Sequence, residues 1–169
     1  MADLQQLIKN IEQWAEDRNL IEGSTPQKQS IKLAEELGEL CSGIAKNNHA
    51  LIKDSIGDCF VLSVILAKQV RITFYTDNVD ERCIAGYEFY LSGLLRTASD
   101  LISPLNPINT HRYIGGKTRI RIGELYFCLL GIAENLDFDL TDCVQAAWDE
   151  IKDRKGRMIN GVFVKEGDL

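Results

Sequence analysis

The stretch KLAEELGELCSG, residues 32–43, carries the pattern that decides the fold. At about 100° per residue, Leu33, Leu37, Leu40 and Ile44 fall on one side of a helix. This spacing predicts an amphipathic helix that packs its apolar side against a core. The same stretch carries three glutamates within five positions, so a helix with a core to fill also carries dense negative charge.

The charged residues of this helix follow one margin of its apolar face. That margin contains Gln29, Lys32, Glu36 and Glu39, with Glu35 a little farther round. Glu36 and Glu39 lie about one turn apart, so their carboxylates can converge on one point. A solvated helix face is the plain alternative explanation of the same pattern.

The next helix weakens that alternative. Residues 56–67 are apolar almost all round, which is typical of a buried helix, yet Asp54 and Asp58 stand at its start, one turn apart. Two antiparallel helices joined by a short turn would bring Asp58 opposite Glu36 and Glu39. Two like charges about 4 Å apart cost roughly 4 kcal/mol at the effective dielectric of a protein surface. A bound divalent cation would remove that cost.

Composition is that of an ordinary globular protein. The chain has 169 residues, 45% of them hydrophobic and 26% charged, which predicts one domain over residues 1–169 with a core of its own. A net charge of −6 argues against nucleic acid as a main partner. The absence of a signal-peptide pattern and of any apolar run long enough to cross a bilayer predicts a cytoplasmic protein without a membrane partner.

Metal chemistry in this chain would have to use carboxylates. Single cysteines among apolar neighbours predict reduced core thiols, at Cys41, Cys59, Cys83, Cys128 and Cys143. The two histidines, His49 and His111, lie near no cysteine pair, so zinc is not expected. Oxygen ligands favour Mg²⁺, or Mn²⁺ in its place. Because Mg²⁺ often completes its shell with substrate phosphates, the predicted substrate class is a nucleotide.

Helical periodicity along most of the chain predicts an all-α bundle with an acidic Mg-binding cleft between two central antiparallel helices. The expected helices cover residues 3–18, 26–46, 50–70, 81–102, 119–135 and 139–155. Ser24 or Thr25 is expected to cap the second helix, with Gln27 in capping-box register to Ser24. Gly156 is expected to end the last helix, before a short extended C-terminal tail. Residues 71–80 are ambiguous, with strand propensity but no partner, and residues 103–116 are predicted as a loop.

The order of the acidic residues resembles that of a known family. The segments EELGE, residues 35–39, and DSIGD, residues 54–58, are similar to the E-E-x-x-E … E-x-x-D signature of the all-α nucleoside triphosphate pyrophosphohydrolases, the MazG-like superfamily. The resemblance extends upstream from Pro26 to Leu33 and downstream over residues 147–165. One position departs from the signature: Ser55 stands where the family has glutamate, and Asp54 is the candidate replacement.

The resemblance implies Mg-dependent hydrolysis of (deoxy)nucleoside triphosphates to the monophosphate and pyrophosphate. It assigns the metal to Glu36, Glu39 and Asp58, with Asp54 and Glu35 as second-line ligands. Glu35 or Glu36 would accept the proton of the attacking water, and the sequence leaves that choice open. Such proteins usually oligomerise, so a homo-oligomer, a dimer or tetramer, is expected. A helical nucleotide-binding or protein-interaction module without catalysis is the alternative.

Further residues are candidates for substrate binding. Lys152 and Lys155 are predicted to share a helix face, where they either bind the β- and γ-phosphates or balance the charge of the helix C-terminus. Lys32 is a candidate either for an ion pair within its own helix or for a contact with a substrate phosphate. Trp14 either stacks on a nucleobase or belongs to the core, and Gln29 is a candidate for contact with a base edge.

Overall fold

The computed structural model describes residues 3–76, 85–102 and 116–168. Within these ranges the chain is mostly helical, as predicted. The helices are α1 (Leu4–Asp17), α2 (Pro26–Ala45), α3 (His49–Gln69), α4 (Tyr87–Ile102), α5 (Gly116–Asn135) and α6 (Leu140–Ile151). A hairpin of β1 (Gly156–Ile159) and β2 (Val162–Lys165) follows, and a 3-10 turn spans Glu166–Asp168.

Helix α3 is the centre of the bundle because it is apolar almost all round. Ile56, Phe60, Val64 and Leu66 are fully buried, and α3 packs against α1, α2, α5 and α6. The chain reverses between α2 and α3 over residues 46–48, so the two helices lie side by side. None of the described helices is both long enough and apolar enough to cross a membrane.

Side-chain caps define where the first helices begin. The Asp3 carboxylate accepts a hydrogen bond from the Gln5 amide at 3.0 Å, and Asn48 caps α3 by accepting from the Leu51 amide at 3.2 Å. Thr25 caps α2 by accepting from the Lys28 amide at 3.3 Å. The predicted capping box of Ser24 with Gln27 is therefore wrong, because the Ser24 hydroxyl bonds to the carbonyl of Gly161 instead.

Helix α6 ends at Ile151, four residues earlier than predicted. At and beyond this end, backbone carbonyls accept hydrogen bonds from side chains at the end of α1: Trp14 donates to the Ile151 carbonyl at 2.8 Å, and Arg18, which follows α1, donates to the carbonyls of Lys152 and Arg154. Gly156 is consequently not a helix C-cap. It opens β1, where a Cβ atom would collide with the carbonyl oxygen of Val164.

The extended tail is confirmed, and it is paired as an antiparallel hairpin. Gly156 pairs with Lys165 and Ile159 with Val162, which leaves a two-residue turn of Asn160 and Gly161. Both turn residues have positive φ, 51° and 78°, as a type I′ turn requires, and Asn-Gly is the preferred sequence for it.

The remaining predictions are corrected in part. Helix α4 begins at Tyr87, since residues 85–86 are not helical and residues 81–84 lie outside the described ranges. Residues 72–76 form no strand; Phe74 is instead buried edge-on against Phe60, with ring centroids 5.3 Å apart. The predicted loop lies almost wholly outside the described ranges, as do Cys83 and His111. The described cysteines are free thiols, and three of them are buried, as predicted.

Candidate functional site: an acidic pocket beside the hairpin

A pocket of about 740 Å³ is lined by residues of α1, α2, α3, the end of α6 and the hairpin. Its charged lining residues are Lys28, Lys32, Glu35, Glu36, Glu39, Asp54, Asp58, Glu150, Arg154 and Lys165. Its apolar lining includes Trp14, Leu62, Ile65, Val162 and Phe163. The pocket thus combines carboxylates, cations and an apolar surface.

Every candidate residue that the sequence placed on α1, α2 or α3 lines this pocket: Trp14, Gln29, Lys32, Glu35, Glu36, Glu39, Asp54 and Asp58. Lys152 and Lys155 do not line it. They share no helix face, because α6 ends at Ile151, and the exposed Lys152 ammonium lies 2.6 Å from an Asp149 carboxylate oxygen. The structure therefore does not support a phosphate-binding role for these two lysines.

Glu36 is the most enclosed carboxylate on α2. The residue is 8% exposed, and its carboxylate lies 3.2 Å from the Lys32 ammonium. Burial raises the pKa of Glu36; Lys32 opposes the rise, and the nearby charges of Glu39 and Glu35 add to it. Glu35 is far more exposed and pairs with the same ammonium at 2.7 Å.

The charges that line the pocket act on the carboxyl of Asp58. Burial raises the pKa of Asp58 from its ordinary 3.8 to about 7, and the negative charges of Glu36, Asp54 and Glu150 add to the rise. Arg154 acts in the opposite direction. Carboxylates from α2, α3 and α6 therefore all contribute to the raised pKa of Asp58.

Glu150 is the functional candidate that sequence reasoning missed. The pKa of Asp54 is raised, first because its carboxyl is partly removed from water and next because of the negative charges of Glu150 and Glu39. Glu150 also forms an ion pair with Arg154 four residues later, which the sequence spacing permits. Nothing in the sequence indicates that this pair lies beside Asp54, because the placement depends on how α6 packs against α3.

Ser55, the position at which the sequence departs from the MazG-like signature, is buried. Ser55 is 1% exposed, does not line the pocket, and its hydroxyl has no hydrogen-bond partner among the described residues. By contrast, the Ser63 hydroxyl on the same helix donates to the Cys59 carbonyl at 2.7 Å. Asp54, one position earlier, presents its side chain to the pocket wall.

Trp14 and Gln29 are built into the frame of the pocket. The Trp14 ring is 7% exposed, and the Arg18 guanidinium lies 4.8 Å from the ring centroid. The Gln29 amide donates to the Ser24 hydroxyl at 2.9 Å. These contacts agree with the core interpretation of Trp14, although both residues contribute to the wall.

In the described ranges, no three histidine, cysteine, aspartate or glutamate side chains are grouped closely enough to hold a metal ion by themselves. The pocket nevertheless offers an oxygen donor set, with carboxylates from two central helices and from α6 on a shared wall. A hard cation that needs few protein ligands fits such a wall better than one that needs a closed cage.

Comparison with known proteins gives one similarity to a phage protein. No protein-family model and no solved structure matches the chain. An uncharacterized 18.2 kDa protein from the rep-hol intergenic region of Haemophilus phage HP1 (strain HP1c1) is 73% identical over 79 residues. The match covers 47% of this chain and 48% of that relative, so the chain spans about half the length of the relative that it matches.

Proposed function

We propose that this protein hydrolyses (deoxy)nucleoside triphosphates to the monophosphate and pyrophosphate with Mg²⁺, or Mn²⁺, as cofactor. The observation that carries the proposal is that Asp58, Glu36, Asp54 and Glu150 line one pocket, where the other three charges add to the raised pKa of Asp58. Several carboxylates that line one pocket are costly without a counter-charge. Cations on the same wall suit a polyphosphate, and the apolar residues suit a nucleobase.

The donor set fits Mg²⁺ in spite of its loose grouping. Mg²⁺ is usually held by one or two carboxylates together with waters and substrate phosphates, rather than by a cage made only of protein. Asp58 and Glu36 are the enclosed ligands in this proposal, and Glu39 and Asp54 are the more exposed ones. When bound, Mg²⁺ supplies charge neutralisation at the phosphates and acidification of a water molecule.

The remaining roles belong to the residues of the chain. Glu35 and Glu36 both stay candidates for accepting the proton of the attacking water. They share Lys32, whose ammonium lies 2.7 Å from Glu35 and 3.2 Å from Glu36, so Lys32 holds both carboxylates in place and lies within the pocket for a phosphate contact. Arg154 is the other phosphate candidate, in place of Lys152 and Lys155.

The wider proposal follows the same lines. The partner is a free nucleotide rather than nucleic acid, the protein works in the cytoplasm, and it forms a homo-oligomer, a dimer or tetramer. The acidic cleft between the two central helices is the active site of each subunit.

A second function is favoured by Ser55. Because this position offers a buried hydroxyl where the family has a carboxylate, the pocket has one fewer ligand than an enzyme of the MazG-like type. A helical module that binds nucleotide without cleaving it, or that contacts another protein, is the resulting alternative.

A hydrolysis panel separates the two functions. Pyrophosphate release is measured for all common and damaged (d)NTPs with Mg²⁺ and with Mn²⁺, and nucleotide binding is measured in parallel by calorimetry. For the wild type we expect turnover, and for Glu39→Gln a loss in kcat/KM on the order of a hundredfold or more. Lys152→Met, which removes a charge outside the pocket, is the matched control and stays within about twofold.

Each outcome of the panel has a distinct meaning. Binding without pyrophosphate release from any nucleotide would establish the binding module. Equal activity of Glu39→Gln and Lys152→Met would remove the acidic pocket from the chemistry. Neither binding nor release would refute both functions.

A further inference from the structure

The hairpin contributes a wall of the pocket although it is barely buried itself. Residues Gly161 to Lys165 line the pocket. No residue of either strand is buried, and only Met158, Phe163 and Val164 are half-buried. A two-stranded hairpin is marginally stable by itself, and elements with few buried contacts open at low free-energy cost.

The base of the hairpin is fixed to α1. Arg18 donates to the backbone carbonyls of Arg154 at 3.0 Å and Lys152 at 3.1 Å, immediately before β1. The buried Trp14 indole donates to the Ile151 carbonyl at 2.8 Å. Three side-chain hydrogen bonds thus hold the backbone where the hairpin leaves the bundle.

The tip of the hairpin is attached differently, by two side chains from the start of α2. The Ser24 hydroxyl donates to the Gly161 carbonyl at 2.8 Å, and the exposed Lys28 ammonium donates to the Asn160 carbonyl. Both acceptors belong to the turn. Between tip and base, Phe163 contacts the Trp14 ring, with centroids 6.2 Å apart.

We infer that the hairpin is a lid that opens at its tip and pivots at its base, and that Ser24 and Lys28 are positioning residues that hold it closed. The lid brings Val162 and Phe163 to the same pocket as Leu62 and Ile65. It carries no carboxylate on the pocket wall. Its apolar side chains suit a flat heteroaromatic ring, so, if the proposed function holds, the lid closes over the nucleobase and the carboxylates face the phosphates.

Hydrogen–deuterium exchange of the full-length protein tests the lid without any ligand. Losing both tip hydrogen bonds in Ser24→Ala/Lys28→Met should speed exchange of residues 156–165 about tenfold, with α2 and α3 unchanged. The matched control is Ser92→Ala/Lys152→Met, since Ser92 also donates to a backbone carbonyl, that of Phe89 at 2.8 Å, and Lys152 lies outside the pocket. This control should leave hairpin exchange at the wild-type rate.

A second variant perturbs the tip from the other side. Gly161 has φ of 78°, and a Cβ atom there would lie 2.5 Å from the Lys28 ammonium, so Gly161→Ala should speed hairpin exchange in the same way. The lid is refuted if hairpin exchange in both tip variants equals that of the control. It is also refuted if exchange accelerates equally in the hairpin and in α3, because the change would then be global unfolding.

A ligand arm tests the link to the nucleobase. An α,β-imido deoxynucleoside triphosphate with Mg²⁺, at concentrations where calorimetry shows binding, should slow wild-type hairpin exchange several-fold, whereas Mg-pyrophosphate should not. Binding of the analogue without slower exchange refutes closure over the base. If the analogue does not bind at all, the proposed function fails, while the ligand-free exchange still decides whether the lid exists.

Discussion

The two sides of the pocket are built in opposite ways. On the side of α2 and α3, charged side chains stand on helices whose other faces are fully buried, so Glu36 and Asp58 are held by a rigid backbone. On the hairpin side, apolar side chains stand on strands without a single buried residue. The helix side therefore gives its carboxylates a rigid support, whereas the hairpin, with few buried contacts, is expected to open at low free-energy cost.

The largest test of this contrast compares one core side chain with one hairpin side chain. Leu37 is 1% exposed at the centre of α2, so Leu37→Ala should lower the free energy of unfolding by about 2 to 5 kcal/mol. Phe163→Ala removes a larger side chain from the hairpin but should cost less than about 1 kcal/mol, because its site is half-buried and collapses easily. Urea unfolding followed by circular dichroism measures both. Similar losses of unfolding free energy in the two variants would contradict the difference between a rigid helix side and a loosely held hairpin.

The second test measures how much stability the protein loses when the buried carboxyl of Asp58 is ionised. Folded Asp58 keeps its proton up to a pKa of about 7, whereas the unfolded carboxyl loses it near 3.8. Folding therefore takes up a proton between these values, and the metal-free protein should lose stability as the pH rises through that window. Asp58→Asn removes this loss and should be more stable than the wild type at pH 8, by on the order of 2 to 4 kcal/mol.

Urea unfolding in EDTA at pH 5 and pH 8 measures the effect. The control is Asp149→Asn, which changes an exposed carboxyl whose pKa is lowered by its hydrogen bonds to Lys152 and Gln145, and the loss of stability with pH should persist in it. Adding Mg²⁺ at pH 8 should restore stability to the wild type more than to Asp58→Asn. Parallel pH profiles for wild type and Asp58→Asn would show that neither burial nor the neighbouring charges raise the pKa of Asp58.

The third test measures how closely α3 packs against α6. At Gly57 a Cβ atom would lie 2.8 Å from the Ala147 side chain and would collide with the Cys143 carbonyl of α6. Gly57→Ala should therefore lower the free energy of unfolding by about 1 to 3 kcal/mol in spite of the better helix propensity of alanine. Gly38→Ala is the matched control: nothing lies within 4 Å of its Cβ position, so it should stabilise by up to about 1 kcal/mol. If both substitutions changed the free energy of unfolding in the same direction, close packing of α3 on α6 would be contradicted.

The smallest effect is expected at Ser55. Its buried hydroxyl lacks a hydrogen-bond partner among the described residues, so Ser55→Ala should raise the free energy of unfolding by about 1 kcal/mol and leave nucleotide hydrolysis unchanged. Thermal unfolding and the pyrophosphate assay measure the two quantities. A large loss of activity in Ser55→Ala would instead give the hydroxyl a direct part in the site and would remove Asp54 as the substitute.

Much of the fold was predictable because helix formation is local. Leu33, Leu37 and Leu40 repeat with helical spacing, and the apolar run of α3 marks a buried helix whatever surrounds it. The predictions failed where long-range bonds override the local pattern. Helix α6 ends at Ile151, where Trp14 donates to the Ile151 carbonyl and Arg18 donates to the Arg154 carbonyl beyond it, and no pattern within residues 139–155 contains that information.

The sequence by itself determined most of the helices, the acidic margin of α2 and the one-turn spacing of Asp54 and Asp58 on α3, since each depends on spacing within a few turns. Only the tertiary structure decided that Glu150 belongs to the acidic field, that Lys152 and Lys155 lie outside the pocket, and that the tail folds back as a wall. These facts depend on contacts between segments far apart in the sequence, such as Ser24 with Gly161. Side chains that meet across such distances are set by how the helices pack, and local spacing carries no record of it.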